Sequence, residues 1–491
     1  MAVGALPRQG ITTQPPVASD PLPGYLRGRV LLVVAVVLAA LSLLIARSPT
    51  YDVWAWLVWG REIAHLDLDT TTGPAWKPLP IAITALLSPA GSATPALWLV
   101  IARAGGLLAL GGAARLGYRA AGPLAAVGAA GSLITVNLWL GYQLPYGMSE
   151  PILAALALWA AERYLQDRPA QAWWLLVAAA LLRPEIWPFL IAFAAWLAYR
   201  RQVPAPVLAA GLVLVPLAWF VPQWFGDGNP FRLGQGQVAP NGPLDQSHPG
   251  FASLREVPAD LLLWTQVGAV VGVGYAIVAR DRLLLGIAAA GVAWAALIAV
   301  MAELHLSSGV SRYLVITQAA AAVLAGVGWV ALGRYARDQL TRRGAADRMA
   351  IALPGRVCVA VAAAAVPTVL RQLRPLAHDV RHQQGLEVAL PRAVGAAGGR
   401  SALLACGRPW VDPLQVTFAA WQLHLHISAV RAVALPGLPL ESYRGPMLQT
   451  RDRIEDPLSP MPFTFFTWHQ TGEATADGAT WTVLSPCGAA S

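Results

Sequence analysis

The feature that most constrains this chain is the repetition of apolar runs close to the roughly 20 residues needed to cross a bilayer. They recur from near Val30 to Leu370. Only 12% of the 491 residues are charged, against about a quarter in an ordinary soluble domain. Hydrophobic residues make up 56% and mean hydropathy is +0.53. The sequence predicts an all-α polytopic membrane protein.

Eleven spans are predicted between positions 29 and 370. Arginines gather at one end of them: Arg27, Arg29, Arg115, Arg119, Arg163, Arg168, Arg200, Arg201, Arg280 and Arg282, then the basic stretch RYARDQLTRRGAADR. Positive residues concentrate on the cytoplasmic side. This places the N-terminus inside, the C-terminus outside, and the chain as a multi-pass protein of a bacterial plasma membrane. The net charge of +9 is accounted for by these loops and does not call for nucleic acid. Residues 1–28, rich in Pro and Gly, read as a flexible cytoplasmic tail.

The outer loop after the first span, 47–80, is unusual for a connector. It begins YDVWAWLVWGREIA and closes on WKPLP. Asp52 stands where hydrocarbon gives way to water, and there a carboxylate can act as a base. Capping of the following helix is the competing role for Asp52. Trp54, Trp56 and Trp59 suit a helix lying in the headgroup layer. On this topology Asp52, Glu62, Lys77, Glu150, Arg183, Glu185, Glu303, His305 and Arg312 all fall at the outer face. Charges near a membrane are costly, so each calls for a partner or a function. A cluster of carboxylates and cations on one side suits a lipid phosphate: a base activates an acceptor hydroxyl while cations hold the leaving phosphate. Mutual pairing is the alternative account of the same charges. Arg103, inside the second span, needs a partner within the bundle.

From about Arg371 the composition changes, and 371–491 is predicted to form a small extracytoplasmic α/β domain. SALLAC and TWTVLSPC read as strands and VTFAAWQL as a helix between them. Cys406 and Cys487 close the two strand-like pieces and are expected to pair on the oxidising side. Cys358 reads as a small apolar residue. His424 and His426 alternate as on a strand, too few for a metal site.

Four pieces in order resemble the GT-C superfamily of integral-membrane glycosyltransferases: Asp52 early in a long aromatic first loop ending WKPLP, GMSEPILAALALWAAERY, LLRPEIWPFLIAFAAWL, and SRYLVITQAAAAVLAG. The resemblance implies a hexosyl- or pentosyltransferase that uses a polyprenyl-phosphate-sugar donor and a glycan or glycolipid acceptor. It implies Asp52 as catalytic base or acceptor-orienting carboxylate, with Glu150 as a second acidic residue. Lys77, Arg183, Glu185, Glu303, His305 and Arg312 become candidates for substrate binding. No resident cofactor is fixed, since family members differ over a divalent metal. Asp52 is followed by Val53, so the adjacent acidic pair of many members is missing. High Ala, Gly, Pro and Arg content suggests a high-GC bacterium such as an actinomycete. Two other classes fit a polytopic chain: a transporter or lipid flippase, and a non-catalytic envelope scaffold. The first often shows internal repeats and midplane polar groups, neither of which is visible here.

Overall fold

A computed structural model describes residues 22–45, 47–136, 139–231, 242–342, 347–433, 445–450 and 468–487; in 347–377 the side chains are described only in part. Sixteen helices dominate. They are α1 (Gly28–Leu41), α2 (Tyr51–Ala64), α3 (Pro78–Leu87), α4 (Thr94–Ala121), α5 (Pro123–Ile134), α6 (Glu150–Leu165), α7 (Pro169–Ala180), α8 (Trp187–Tyr199), α9 (Ala205–Asp227), α10 (Pro249–Asp260), α11 (Leu263–Ala279), α12 (Arg282–Glu303), α13 (Val315–Arg342), α14 (Asp347–Ala396), α15 (Gly399–Ala405) and α16 (Val416–Gln422). Proline marks many of the starts, where its missing N–H costs nothing: α3 to α10 each carry one in the first turn.

Among the described residues, four segments are long and apolar enough to cross a membrane: Pro78–Ala121, Ala205–Asp227, Arg282–Glu303 and Ser311–Arg342. A fifth arises if α10 and α11, bent by 103°, count as one. α1, α5 and α8 are shorter, so a count of eleven depends on short and broken helices. The apolar faces of these helices are largely uncovered, as at Val33, Leu41, Val213, Leu217, Val270, Ile277 and Val292. Exposed apolar surface on that scale suits lipid rather than water.

α13 forms the axis of the bundle, approached closely through small residues. A Cβ on Gly328 would lie 2.0 Å from the Gly268 carbonyl oxygen of α11. Such small-residue contacts let helix backbones meet where lipid removes any hydrophobic drive to associate. Arg103 finds its partners at the carbonyls of Ser42 (3.1 Å) and Pro145 (2.7 Å), tying the end of α1 to the loop before α6. Glu162, fully buried, gathers Arg115, Arg119 and Arg163 around one carboxylate.

Among the described residues the C-terminal domain is built on a five-stranded sheet of order β2-β1-β3-β5-β4. Its strands are β1 (Trp410–Val411), β2 (Arg431–Ala432), β3 (Met447–Thr450), β4 (His469–Ala476) and β5 (Ala479–Ser485). β1 pairs in parallel with β2 and β3; β5 is antiparallel to β3 and β4. The β4–β5 hairpin turns at Asp477-Gly478, both at positive φ (47° and 81°), the conformation that favours Asp-Gly in tight hairpins.

Several expectations are corrected. SALLAC forms α15 rather than a strand. Small, helix-favouring Ala and Leu outweigh a strand pattern too short to pair. TWTVLSPC does supply β5 and VTFAAWQL does supply α16. His424 and His426 occupy a turn, His424 at φ 51°. The basic stretch from Arg334 is helical through Arg342. α9 continues through Pro222 to Asp227, and α10 follows at Pro249–Asp260. α14 runs through position 370 without a break. Its far half enters the outer domain, where Trp481 Nε1 donates to Leu386 O at 3.0 Å. The two regions therefore share one continuous core. Most of the expected tail falls outside the described residues, and the Cys358 side chain does too.

Candidate functional site

Three of the site residues stand immediately before a proline: Lys77 before Pro78, Glu150 before Pro151 and Arg183 before Pro184. A following proline disfavours helical backbone. Lys77 (φ −136°, ψ 101°) and Arg183 (φ −147°, ψ 125°) are accordingly extended, each at the mouth of a helix. Glu150 opens α6 after the non-helical link from the preceding loop. Sequence therefore places all three at helix starts, and the bundle brings those starts together.

The result is one buried network. Arg183 Nη2 lies 3.0 Å from Glu150 Oε1, and its Nη1 lies 3.0 Å from Glu185 Oε1. Lys77 Nζ donates to Ser149 Oγ at 2.8 Å and sits 3.5 Å from Glu150 Oε1. Glu150 is 0% exposed, and Lys77, Arg183 and Glu185 are buried with it. Aromatic faces complete the cage. Lys77 Nζ is 5.0 Å from the Trp56 ring, and the Arg183 guanidinium lies 3.7 Å from the Tyr313 ring. Desolvated cations gain most from such faces. Glu150 Oε2, Glu185 Oε2 and Arg183 Nε have no hydrogen-bond partner among the described residues.

At its rim Arg312 Nη1 meets Asp52 Oδ2 at 3.3 Å, with side-chain exposures of 27% and 19%. Arg312 also borders Tyr313, its guanidinium 5.3 Å from that ring. Asp52 lies in the first turn of α2, whose cap residue is Thr50. Asp52 caps nothing there, so its competing role falls away. Its pairing with Arg312 fixes it where buried charge meets accessible space.

α2 is held from the other side by the C-terminal domain. The Trp54 ring packs 5.3 Å from that of Phe418, and Arg61 donates to the carbonyls of Trp421 (3.2 Å) and Leu425 (2.8 Å). Trp54, Trp56 and Trp59 are buried in protein. The expectation of a helix lying in the headgroup layer is corrected on this point: Trp54 faces Phe418 and Trp421 of α16, Trp56 faces Trp98 of α4, and Trp59 faces Trp76.

Not every expected residue joins the network. Glu303 Oε2 accepts from Gly250 N at 2.8 Å, closing the start of α10, and His305 Nδ1 lies 3.2 Å from the Glu303 carbonyl. Both are engaged at a separate loop. Glu62 turns to the C-terminal domain instead. It accepts from Asp69 N (3.0 Å) and lies 2.9 Å from His426 Nδ1, whose Nε2 is 3.3 Å from Asp67 Oδ2. Burial pushes the Glu62 carboxyl up to about 7, opposed by these contacts. Among the described residues no group of three or more His, Cys, Asp and Glu is arranged to hold a metal ion. Sequence reasoning missed Ser149, Trp56 and Tyr313 as partners. Tyr313 was within reach, since it follows Arg312 directly. Trp56 and Ser149 contribute only through tertiary contacts.

Cys406 and Cys487 are brought together, Cα atoms 5.9 Å apart, within the usual span of a disulfide.

No protein-family model matches the chain, and no curated protein matches it by sequence. Two crystal structures of ArnT from Cupriavidus metallidurans share its fold. The apo form aligns with a TM-score of 0.57 and 15% identity, covering 93% of this chain and 97% of that one. The form bound to undecaprenyl phosphate gives 0.55 and 14% over the same shares. The chain has an ArnT-like, GT-C-type fold with a small C-terminal β-sheet domain.

Proposed function

We propose that the protein is a membrane glycosyltransferase that moves a hexose or pentose from a polyprenyl-phosphate donor to a cell-envelope glycan or glycolipid. The carrying observation is the meeting of Asp52, Lys77, Glu150, Arg183 and Arg312, drawn from five distant parts of the sequence. The shared fold with a protein crystallised on undecaprenyl phosphate supports the donor class.

In this reading Asp52 takes the proton of the acceptor hydroxyl. Arg312, Lys77 and Arg183 stabilise the phosphate that leaves with the bonding pair. Glu150 and Glu185 position Lys77 and Arg183 rather than meeting substrate. The protein lies in a bacterial plasma membrane with its N-terminus inside and its outer domain exposed on the far side. A reporter active only outside the cell, fused at Ser491, is expected to work; activity of a cytoplasm-only reporter there would overturn the orientation.

The test of the activity uses the purified chain in detergent with undecaprenyl-phosphate-linked pentoses and hexoses and an envelope glycan extract. Protein-dependent release of undecaprenyl phosphate from at least one donor is expected. Absence of release from the whole panel would overturn the reading.

A further inference from the structure

A cavity of about 240 Å³ opens between the start of α2, α14 and the outer domain. Its aromatic walls are Tyr51 and Trp54 on one side and Tyr142 and Tyr146 on the other. The last two rings meet at a tilt of 45° with centroids 5.5 Å apart. Polar groups reach it from two further directions: Gln383 from α14, Asp412 and Gln415 from the outer domain. Among the described residues its lining holds no lysine or arginine and one histidine, His382.

We propose that this cavity binds one neutral sugar unit of the acceptor and presents its hydroxyl to Asp52. This rests on the transferase reading above and deepens it. Flat aromatic faces suit the C–H faces of a sugar ring, and amide and carboxylate groups suit its hydroxyls. The volume is below the roughly 300–1,000 Å³ of sites for larger ligands, which fits one ring rather than an extended chain. The cations suited to a phosphate, Lys77, Arg183 and Arg312, lie instead in the network with Glu150 and Asp52. The first turn of α2 separates the two: Tyr51 borders the cavity while Asp52, the next residue, meets Arg312 at 3.3 Å. Acceptor and donor phosphate thus approach Asp52 from opposite sides. The acceptor O–H yields its proton to Asp52, its oxygen bonds to the anomeric carbon, and the bond from that carbon to the phosphate oxygen breaks with its electron pair on phosphate.

The outer domain completes this site. Thr417 Oγ1 donates to the Tyr51 carbonyl at 2.8 Å and Phe418 backs Trp54, so the aromatic wall is set by α16.

The test is saturation-transfer NMR on the purified full chain with a panel of methyl glycosides of pentoses and hexoses, alongside binding of undecaprenyl phosphate. At least one glycoside is expected to show transfer. Gln415→Trp, which fills the cavity, is expected to abolish that signal and leave undecaprenyl phosphate binding unchanged. Gln383→Ala adds no bulk and is expected to weaken the signal severalfold, which guards against misfolding of the tryptophan variant. No glycoside bound by the wild type, or full signal retained in both variants, overturns the cavity assignment. Glycoside binding without any release of lipid phosphate in the transfer assay would instead overturn the transferase reading and leave the cavity standing.

Discussion

Arg183 joins Glu150 to Glu185, with one guanidinium nitrogen 3.0 Å from each carboxylate. All three residues are buried. Removing one partner of such a set leaves an uncompensated charge, at a cost on the order of 3–5 kcal/mol. Arg183→Leu is expected to lower Tm by that equivalent. Arg183→Leu with Glu185→Gln should recover part of it, because Glu185 then carries no stranded charge. Thermal unfolding of the single and double variants measures the coupling; a wild-type Tm for Arg183→Leu would show the network to be structurally idle.

Close helix contact at Gly328 gives a second prediction. A Cβ there would press on the Gly268 carbonyl, which is backbone and cannot swing aside. Gly328→Ala should destabilise by roughly 1–3 kcal/mol. The effect should appear in detergent unfolding, and unchanged stability would place α11 farther from α13.

Glu62 supplies a pH dependence. Its carboxyl is raised from 4.5 to about 7 by burial. The native state therefore holds a proton that the unfolded chain has lost, and ΔG of unfolding falls as pH rises from about 4.5 to 7. A shift of that size is worth roughly 3 kcal/mol. Glu62→Gln should flatten this part of the stability curve and raise Tm at pH 8. Parallel curves for the two proteins would remove Glu62 as the cause.

Cys406 and Cys487 are 81 positions apart. A bond between them would constrain the unfolded chain by roughly 4 kcal/mol in the loop-entropy account. Thiol labelling of unreduced, denatured protein should leave both unmodified, and Cys406→Ser should lower Tm. Full labelling of both would refute the pairing.

Much of this was legible in local sequence. Low charge and long apolar runs point to the membrane part. Asp52, Lys77, Glu150, Arg183 and Arg312 are readable as costly charges beside helix breaks, three of them next to proline. Their pairing was not readable, because Asp52 and Arg312 are 260 positions apart and only the bundle joins them. Glu303 and His305 look the same in sequence as the residues that converge; their loop simply closes α10 instead. The tryptophans of α2 misled for a related reason. An aromatic stripe has the same pattern whether it faces headgroups or protein, and Phe418, Trp98 and Trp76 cover this one.

The central claim is that Asp52 takes the acceptor proton. Asn at this position keeps the size and can still accept a hydrogen bond from Arg312, but it cannot take the proton. Positioned proton transfer contributes roughly 10²–10⁴-fold. The measurement is the transfer rate of Asp52→Asn from an undecaprenyl-phosphate-linked sugar, beside undecaprenyl phosphate binding. The account expects transfer to fall by about 10²-fold or more with lipid binding and expression retained. Wild-type transfer by the Asn variant would contradict it.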